Sequence, residues 1–172
     1  MSEKIPNGEK GGAALLPYET PAAAPAVDRK VAVLTVSPIE ETHARLRGIF
    51  QRTKWSIQQA HTCAEAMDLL AHEPRAVVVC EATLEDGDWK KLLSTLMSLP
   101  RPPKVIVTSC DADDALWTDV LNSGGYDVLP RPFDRSEVAR VVSLAWLQWR
   151  TEGETRRQAV AARALSTLSV QA

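Results

Sequence analysis

Glu81 is the residue whose type and setting most invite chemistry. It follows the unbroken apolar run Ala76-Val77-Val78-Val79 and Cys80, and it opens an acidic loop with Glu85, Asp86, Gly87 and Asp88. Four small or β-branched residues without polar alternation read as a strand buried on both faces. In open parallel α/β sheets, ligands and chemistry gather just beyond the carboxyl ends of such strands. A carboxylate there is the first group to suspect, against the plain alternative that Glu81 merely ends a strand and faces water. Two other apolar runs end in polar residues: a hydroxyl at Ser109, and a cation followed by proline at Arg131-Pro132.

Composition narrows the function classes. The chain has 172 residues, 45% of them hydrophobic, and a net charge of −2. The length favours one domain with a real core. The charge supplies no global basic field for nucleic acid, so no nucleic-acid partner is expected. No run of eighteen apolar residues occurs, so no membrane partner is expected, and the start MSEKIPNGEKGG does not read as a secretory signal. Three cysteines, Cys63, Cys80 and Cys110, lack CxxC spacing, and His43, His61 and His72 lack ligand spacing. The reading is reduced thiols, a cytoplasmic location and no metal motif.

The elements that position these residues can be read in order. Residues 1–28 are rich in Gly, Pro and Ala and read as a disordered tail. KVAVLTV, Lys30 to Val36, is the first buried strand. Ser37, Pro38 and Glu40 then form a capping box, opening a helix with Ile39, Leu46, Ile49 and Phe50 on its apolar face. Trp55 to Ala60 is a more polar strand suited to a sheet edge. Thr62 and Glu65 cap a short helix before Pro74. The Arg75–Cys80 strand follows, then a helix from Trp89 to Leu99, stopped by Pro100, Pro102 and Pro103. KVIVT, from Lys104, is the fourth strand. Asp111 caps a helix that Gly124-Gly125 ends. Tyr126 to Leu129 is the fifth strand, Asp134 and Glu137 cap the last core helix, and Gly153 interrupts it, leaving 151–172 as a separate helical tail.

Five strands alternating with five helices imply a flavodoxin-like, doubly wound (βα)5 parallel sheet of order 2-1-3-4-5, over residues 29–150. That order gathers Ser37-Pro38, Glu81, Ser109 and Arg131 around one cleft. Glu81 and Arg131 are then expected to form an ion pair, with Ser109 as a further donor. Cys80 and Cys110 end neighbouring strands, which leaves thiol redox sensing as a minor alternative.

This pattern resembles the receiver domain of two-component response regulators. AHTCAEAM, EATLEDGD, VIVTSC and GGYDVLPRPFD carry the resemblance through their order and spacing. It implies a signalling module in a phosphorelay, not an enzyme, with a histidine kinase or output protein as partner; a homodimer stays open. In that family an Asp on the third strand accepts a phosphoryl group. Two acids after the first strand hold Mg²⁺. A hydroxyl, a Lys-Pro pair and a strand-five aromatic complete the switch. Here Glu81 stands at the phosphoacceptor position and Ser37-Pro38 at the acid pair. Ser109 matches the hydroxyl, Arg131 replaces Lys before Pro132, and Val128 takes the aromatic's place, with Tyr126 two residues earlier. Mg²⁺ wants carboxylate oxygens, so no cofactor is expected. The resemblance thus implies a degenerate, phosphorylation-independent interaction module. The alternative is a working phosphoacceptor using Glu81 or Asp86. The family's interaction surface, helix 4 to helix 5, would carry Trp117, Tyr126, Trp146 and Trp149.

Overall fold

The computed structural model describes residues 31–170. The tail expected over residues 1–28 lies outside them. Seven strands and five helices follow in the order β1 (Ala32–Val36), α1 (Glu40–Phe50), β2 (Ser56–Ala60), α2 (Cys63–His72), β3 (Val77–Glu81), β4 (Thr83–Leu84), β5 (Gly87–Asp88), α3 (Trp89–Met97), β6 (Lys104–Ser109), α4 (Asp114–Asn122), β7 (Asp127–Pro130) and α5 (Arg135–Val170). Five strands pair in parallel in the order β2-β1-β3-β6-β7. This is the flavodoxin-like 2-1-3-4-5 sheet, with β3 at its centre and the polar β2 at an edge. The remaining two strands, β4 and β5, make a small antiparallel hairpin within the acidic loop, where the sequence shows no strand pattern.

Strand alternation divides the core into two layers. Leu34, Val78 and Val107 point toward α2, α3 and α4, where they meet Leu70, Leu93 and Val120. Val33, Val79 and Ile106 point the other way, toward Leu46 and Phe50 of α1 and Val138 and Val142 of α5. β3 is buried along its whole length, which is why its sequence shows no alternation. Each such aliphatic side chain contributes about 1.5–3 kcal/mol by leaving water.

Helix starts follow local side-chain chemistry. Thr62 accepts from the Glu65 N–H, Asp88 from Lys91 and Asp134 from Glu137. The cap of α4 is Asp113, which accepts from Leu116 N–H, and not Asp111. Asp111 donates its backbone N–H to Ser109 Oγ and so stays in the turn before the helix. Gly124 takes φ +91° after α4, a left-handed stop that suits glycine.

Gly153 does not interrupt the last helix: α5 runs unbroken for 36 residues, about 54 Å at 1.5 Å per residue. The glycine serves close approach instead. A Cβ there would collide with the Arg101 guanidinium. Arg101 lies over the Trp149 ring, 3.2 Å from its centroid, and donates to the Trp149 carbonyl at 3.2 Å. Lys104 pairs with Glu152 at 2.8 Å, and Arg156 donates to the Pro100 carbonyl. The loop between α3 and β6 thereby holds the helix past the point where the glycine predicted a break.

Candidate functional site

The site lies where β1, β3, β6 and β7 end. Glu81, the last residue of β3, is buried, and its side chain retains only 6% of its exposure. Arg131, just past β7, reaches across the strand ends and sets Nη2 2.6 Å from Glu81 Oε1. The Arg131 backbone N–H is fixed on the Ser109 carbonyl at 2.9 Å, and the Arg131-Pro132 peptide is cis. Sheet order alone brings the two charges together, since 50 residues separate them in the chain.

Ser37 supplies the second contact. Its hydroxyl donates to Glu81 Oε2 at 3.3 Å and accepts from the Ile39 N–H at 3.0 Å. The capping box expected at Ser37, Pro38 and Glu40 is not formed: α1 begins at Glu40, and Ile39 precedes it without a side-chain cap. Proline at 38 and extended backbone at Ile39 postpone the helix by two residues, which frees Ser37 to face the cleft. Thr42, in the first turn of α1, is buried near the same carboxylate, and its hydroxyl completes no hydrogen bond among the described residues.

Ser109 does not join them. In the parallel register Glu81 lies beside Thr108, so strand alternation places Thr108, not Ser109, on the face of Glu81. Thr108 is fully buried, and its hydroxyl has no hydrogen-bond partner among the described residues. Thr108, Thr42 and His43 are the site residues that sequence reasoning passed over. The signals were the parity of KVIVTS counted from its buried valines, and the place of Thr42 and His43 on the inner stripe with Leu46 and Phe50. In the structure that stripe holds Thr42 and His43, while Ile39 is exposed.

Opposing effects act on the Glu81 carboxyl. Burial pushes it up from its ordinary value; Arg131, Ser37 and Thr42 pull it back without cancelling the rise. Desolvation therefore outweighs the pull of these neighbours, and the carboxylate is held by its partners rather than by water. This donor set does not fit a divalent cation. Glu81 is already engaged by Arg131, Glu41 at the mouth of the cleft is engaged by Arg45 at 2.8 Å, and the residues that follow β1 offer a hydroxyl and a proline. No cluster of three His, Cys, Asp or Glu side chains able to hold a metal ion occurs among the described residues.

Asp86, the other acid weighed as a phosphoacceptor, is engaged elsewhere. Its two oxygens accept from the Cys63 and Ala64 N–H groups at 2.8 and 2.9 Å, so it caps α2 from the β4–β5 hairpin. Those bonds hold its carboxyl below the ordinary value. The two thiols weighed for redox sensing sit in different settings. Cys80 is buried, donates to the Glu81 carbonyl at 3.1 Å, and burial pushes its thiol well up. Cys110 is exposed in the loop beyond β6. A cavity of about 210 Å³ opens beside the ion pair, lined by Glu41, Thr42, Arg45, Cys110, Arg131, Pro132 and Phe133.

Val128 is buried in the α2–α4 layer, whereas Tyr126 packs on the α1–α5 layer. The two do not share a face, because Tyr126 precedes β7 and strand alternation does not extend to it. Trp146 and Trp149 pack partly buried on the same α1–α5 layer, under Arg150 and Arg101. Trp117 is the exception, 44% exposed on α4 beside the exposed Leu121.

Neither family models nor curated proteins match the chain by sequence. Solved structures do match by shape. The signal receiver domain of an HD domain-containing protein from Pseudomonas fluorescens Pf-5 superposes with a TM-score of 0.68 at 24% identity, over 73% of this chain and 93% of that one. The signal receiver domain ascribed to a LuxO repressor protein from Vibrio parahaemolyticus gives 0.69 at 16%, over 73% and 97%. The receiver domain of Francisella response regulator 1452 gives 0.64 at 21%, over 69% and 98%. The chain has the fold of response-regulator receiver domains.

Proposed function

We propose that this chain is a receiver-like signalling module that works without phosphoryl transfer, by binding a partner such as a histidine kinase or an output protein. The Glu81–Arg131 ion pair carries this reading. A buried carboxylate stands at the end of the central strand, and Arg131 already binds it at 2.6 Å, as a receiver's cation would bind a phosphoryl oxygen. Guanidinium suits this task through its planar donor fork and permanent charge. Ser37 and Pro38 remove the acids that would hold Mg²⁺, so the charge that phosphorylation would deliver is built into the chain. Glu81 as nucleophile would also be one methylene too long, and a displacement of about 1 Å can cost roughly a hundredfold in rate.

The surface formed by α4, β7 and the start of α5 is the proposed docking face. Trp117 and Leu121 lie one turn apart on α4 and are both exposed, and exposed aromatics are enriched among binding hot spots. Incubation with Mg²⁺ and a small phosphodonor, followed by intact-mass measurement, tests the reading. An unmodified mass is expected. A stoichiometric phosphoryl adduct on Glu81 or Asp86 would refute it.

A further inference from the structure

His43 is fully buried on α1, where the packing stripe calls for an apolar residue. Its Nε2 lies 2.9 Å from the Ser37 carbonyl, and its Nδ1 lies 2.8 Å from Thr35 Oγ1 on β1. A carbonyl only accepts, so Nε2 carries a proton. The Thr35 hydroxyl has one proton and two acceptors in reach: His43 Nδ1 at 2.8 Å and the Gln58 carbonyl of β2 at 3.3 Å. The shorter contact takes it, and His43 is then the neutral Nε2–H tautomer. The longer contact is a second acceptor already in place. When Nδ1 gains a proton from solvent it donates to Thr35 Oγ1, and the Thr35 hydroxyl rotates to donate to Gln58. Every donor stays satisfied in both arrangements. A charged imidazole needs two acceptors at once, and this corner of the fold supplies both.

We propose that the His43–Thr35–Gln58 relay is a proton-driven switch that reports acidification to the Glu81 cleft through the Ser37 corner. Ser37 joins the two: its carbonyl holds His43, and its hydroxyl holds Glu81. Protonation turns the His43–Ser37 contact into a charge-assisted hydrogen bond, shorter and about twice as strong as a neutral one. It polarises the peptide that carries Ser37 and so alters the donor facing Glu81. The charged and titratable groups around His43 set where it titrates. His61 lies edge-on, with ring centroids 5.1 Å apart, and opposes a second positive charge. Arg47 on α1 opposes it too, while Glu40 on α1 favours it. His61 is itself flanked by Glu40 at 3.8 Å and Glu65 at 3.4 Å. Burial lowers the His43 pKa, and the Ser37 carbonyl opposes that shift.

Long-range ¹H–¹⁵N NMR on the full chain, titrated from pH 8 downward, tests the switch. At pH 8 His43 should carry its proton on Nε2 alone. On acidification Nδ1 should gain one, with Ser37 and Glu81 resonances moving at the same midpoint, below the ordinary imidazole value. Thr35→Val removes the acceptor for Nδ1–H and should lower the proton affinity of His43 by about tenfold, the worth of one hydrogen bond to a charged group. Thr35→Ser should restore it, and His61→Asn should raise it. A proton on Nδ1 at pH 8 would overturn the proposal. So would Ser37 and Glu81 resonances indifferent to the His43 midpoint, a Thr35→Val midpoint equal to wild type, or unfolding before His43 titrates. These readouts do not depend on whether the cleft accepts a phosphoryl group.

Discussion

Arg131→Ala and Glu81→Gln remove the two halves of one ion pair, yet they should not cost the same. Unit charges about 4 Å apart attract by about 4 kcal/mol at an effective dielectric near 20. Taking a carboxylate out of water costs several kcal/mol in return. The Glu81 carboxyl is shifted up despite Arg131, so the desolvation cost outweighs what its partners return. Glu81→Gln deletes that cost together with the attraction, and it leaves behind a guanidinium that is 22% exposed and can reach water. Its expected effect is small, within about 1 kcal/mol of neutral, because an uncharged isostere often replaces a buried ion without loss. Arg131→Ala strands a carboxylate whose side chain is only 6% exposed, and should cost about 3–5 kcal/mol near pH 7. In the double variant that stranded charge is gone, so a coupling of about 1–3 kcal/mol is expected. Urea denaturation of the four proteins, read as midpoints at constant m, measures the cycle. At pH 5 the Arg131→Ala deficit should shrink, because Glu81 can escape its unpaired charge by protonation. Equal, additive single-variant costs that do not change with pH would refute this account of the cleft.

Four further outcomes follow from other contacts. Gly153→Ala should gain about 1 kcal/mol of helix propensity but push Arg101 off the Trp149 ring, so melting changes little while the tryptophan emission shifts; Arg101→Ala should reproduce the spectral change. Trp117→Ala should weaken partner binding more than it lowers the melting temperature, and Trp146→Ala, packed on the α1–α5 layer, should do the reverse. Mg²⁺ titration followed by NMR should show no saturable binding mapping to Glu81. Stability against pH should carry two opposed contributions. The Glu81 pKa is raised from 4.5 in the fold, so its contribution is fully present below 4.5 and is lost as pH rises through the folded value. The His43 pKa is lowered from 6.5, so its contribution is present above 6.5 and is lost as pH falls toward the folded value. Glu81→Gln should flatten the first slope and His43→Asn the second, by thermal melts across pH 4–8.

The fold was legible because its signals are redundant. Each buried strand announces itself by an apolar run, each helix by periodicity, and the crossover rule removes nearly every other topology. A capping error at α4, two residues early, leaves the architecture untouched. Gly153 misleads for a different reason. Glycine weakens a helix by about 1 kcal/mol, which a local reading counts as a stop. The compensation comes from Arg101 and Lys104, some fifty residues upstream, and no local pattern contains it.

The cleft was legible only in its charges. Glu81 and Arg131 meet because sheet order dictates it, and a carboxylate and a guanidinium attract over enough distance to tolerate error in register. Hydroxyls have no such reach. Whether Ser109 or Thr108 faces Glu81 depends on a one-residue parity, since one step along a strand moves a side chain to the opposite face. Counting from Val105 and Val107, which point toward the α2–α4 layer, puts Ser109 on their side and Thr108 with Ile106. Ser37 is hidden differently. Serine before proline and glutamate satisfies a helix cap so well locally that the competing partner, a carboxylate 44 residues later, does not enter the reading. A buried charge outbids a helix end because leaving it short of donors costs more than leaving the first turn to solvent.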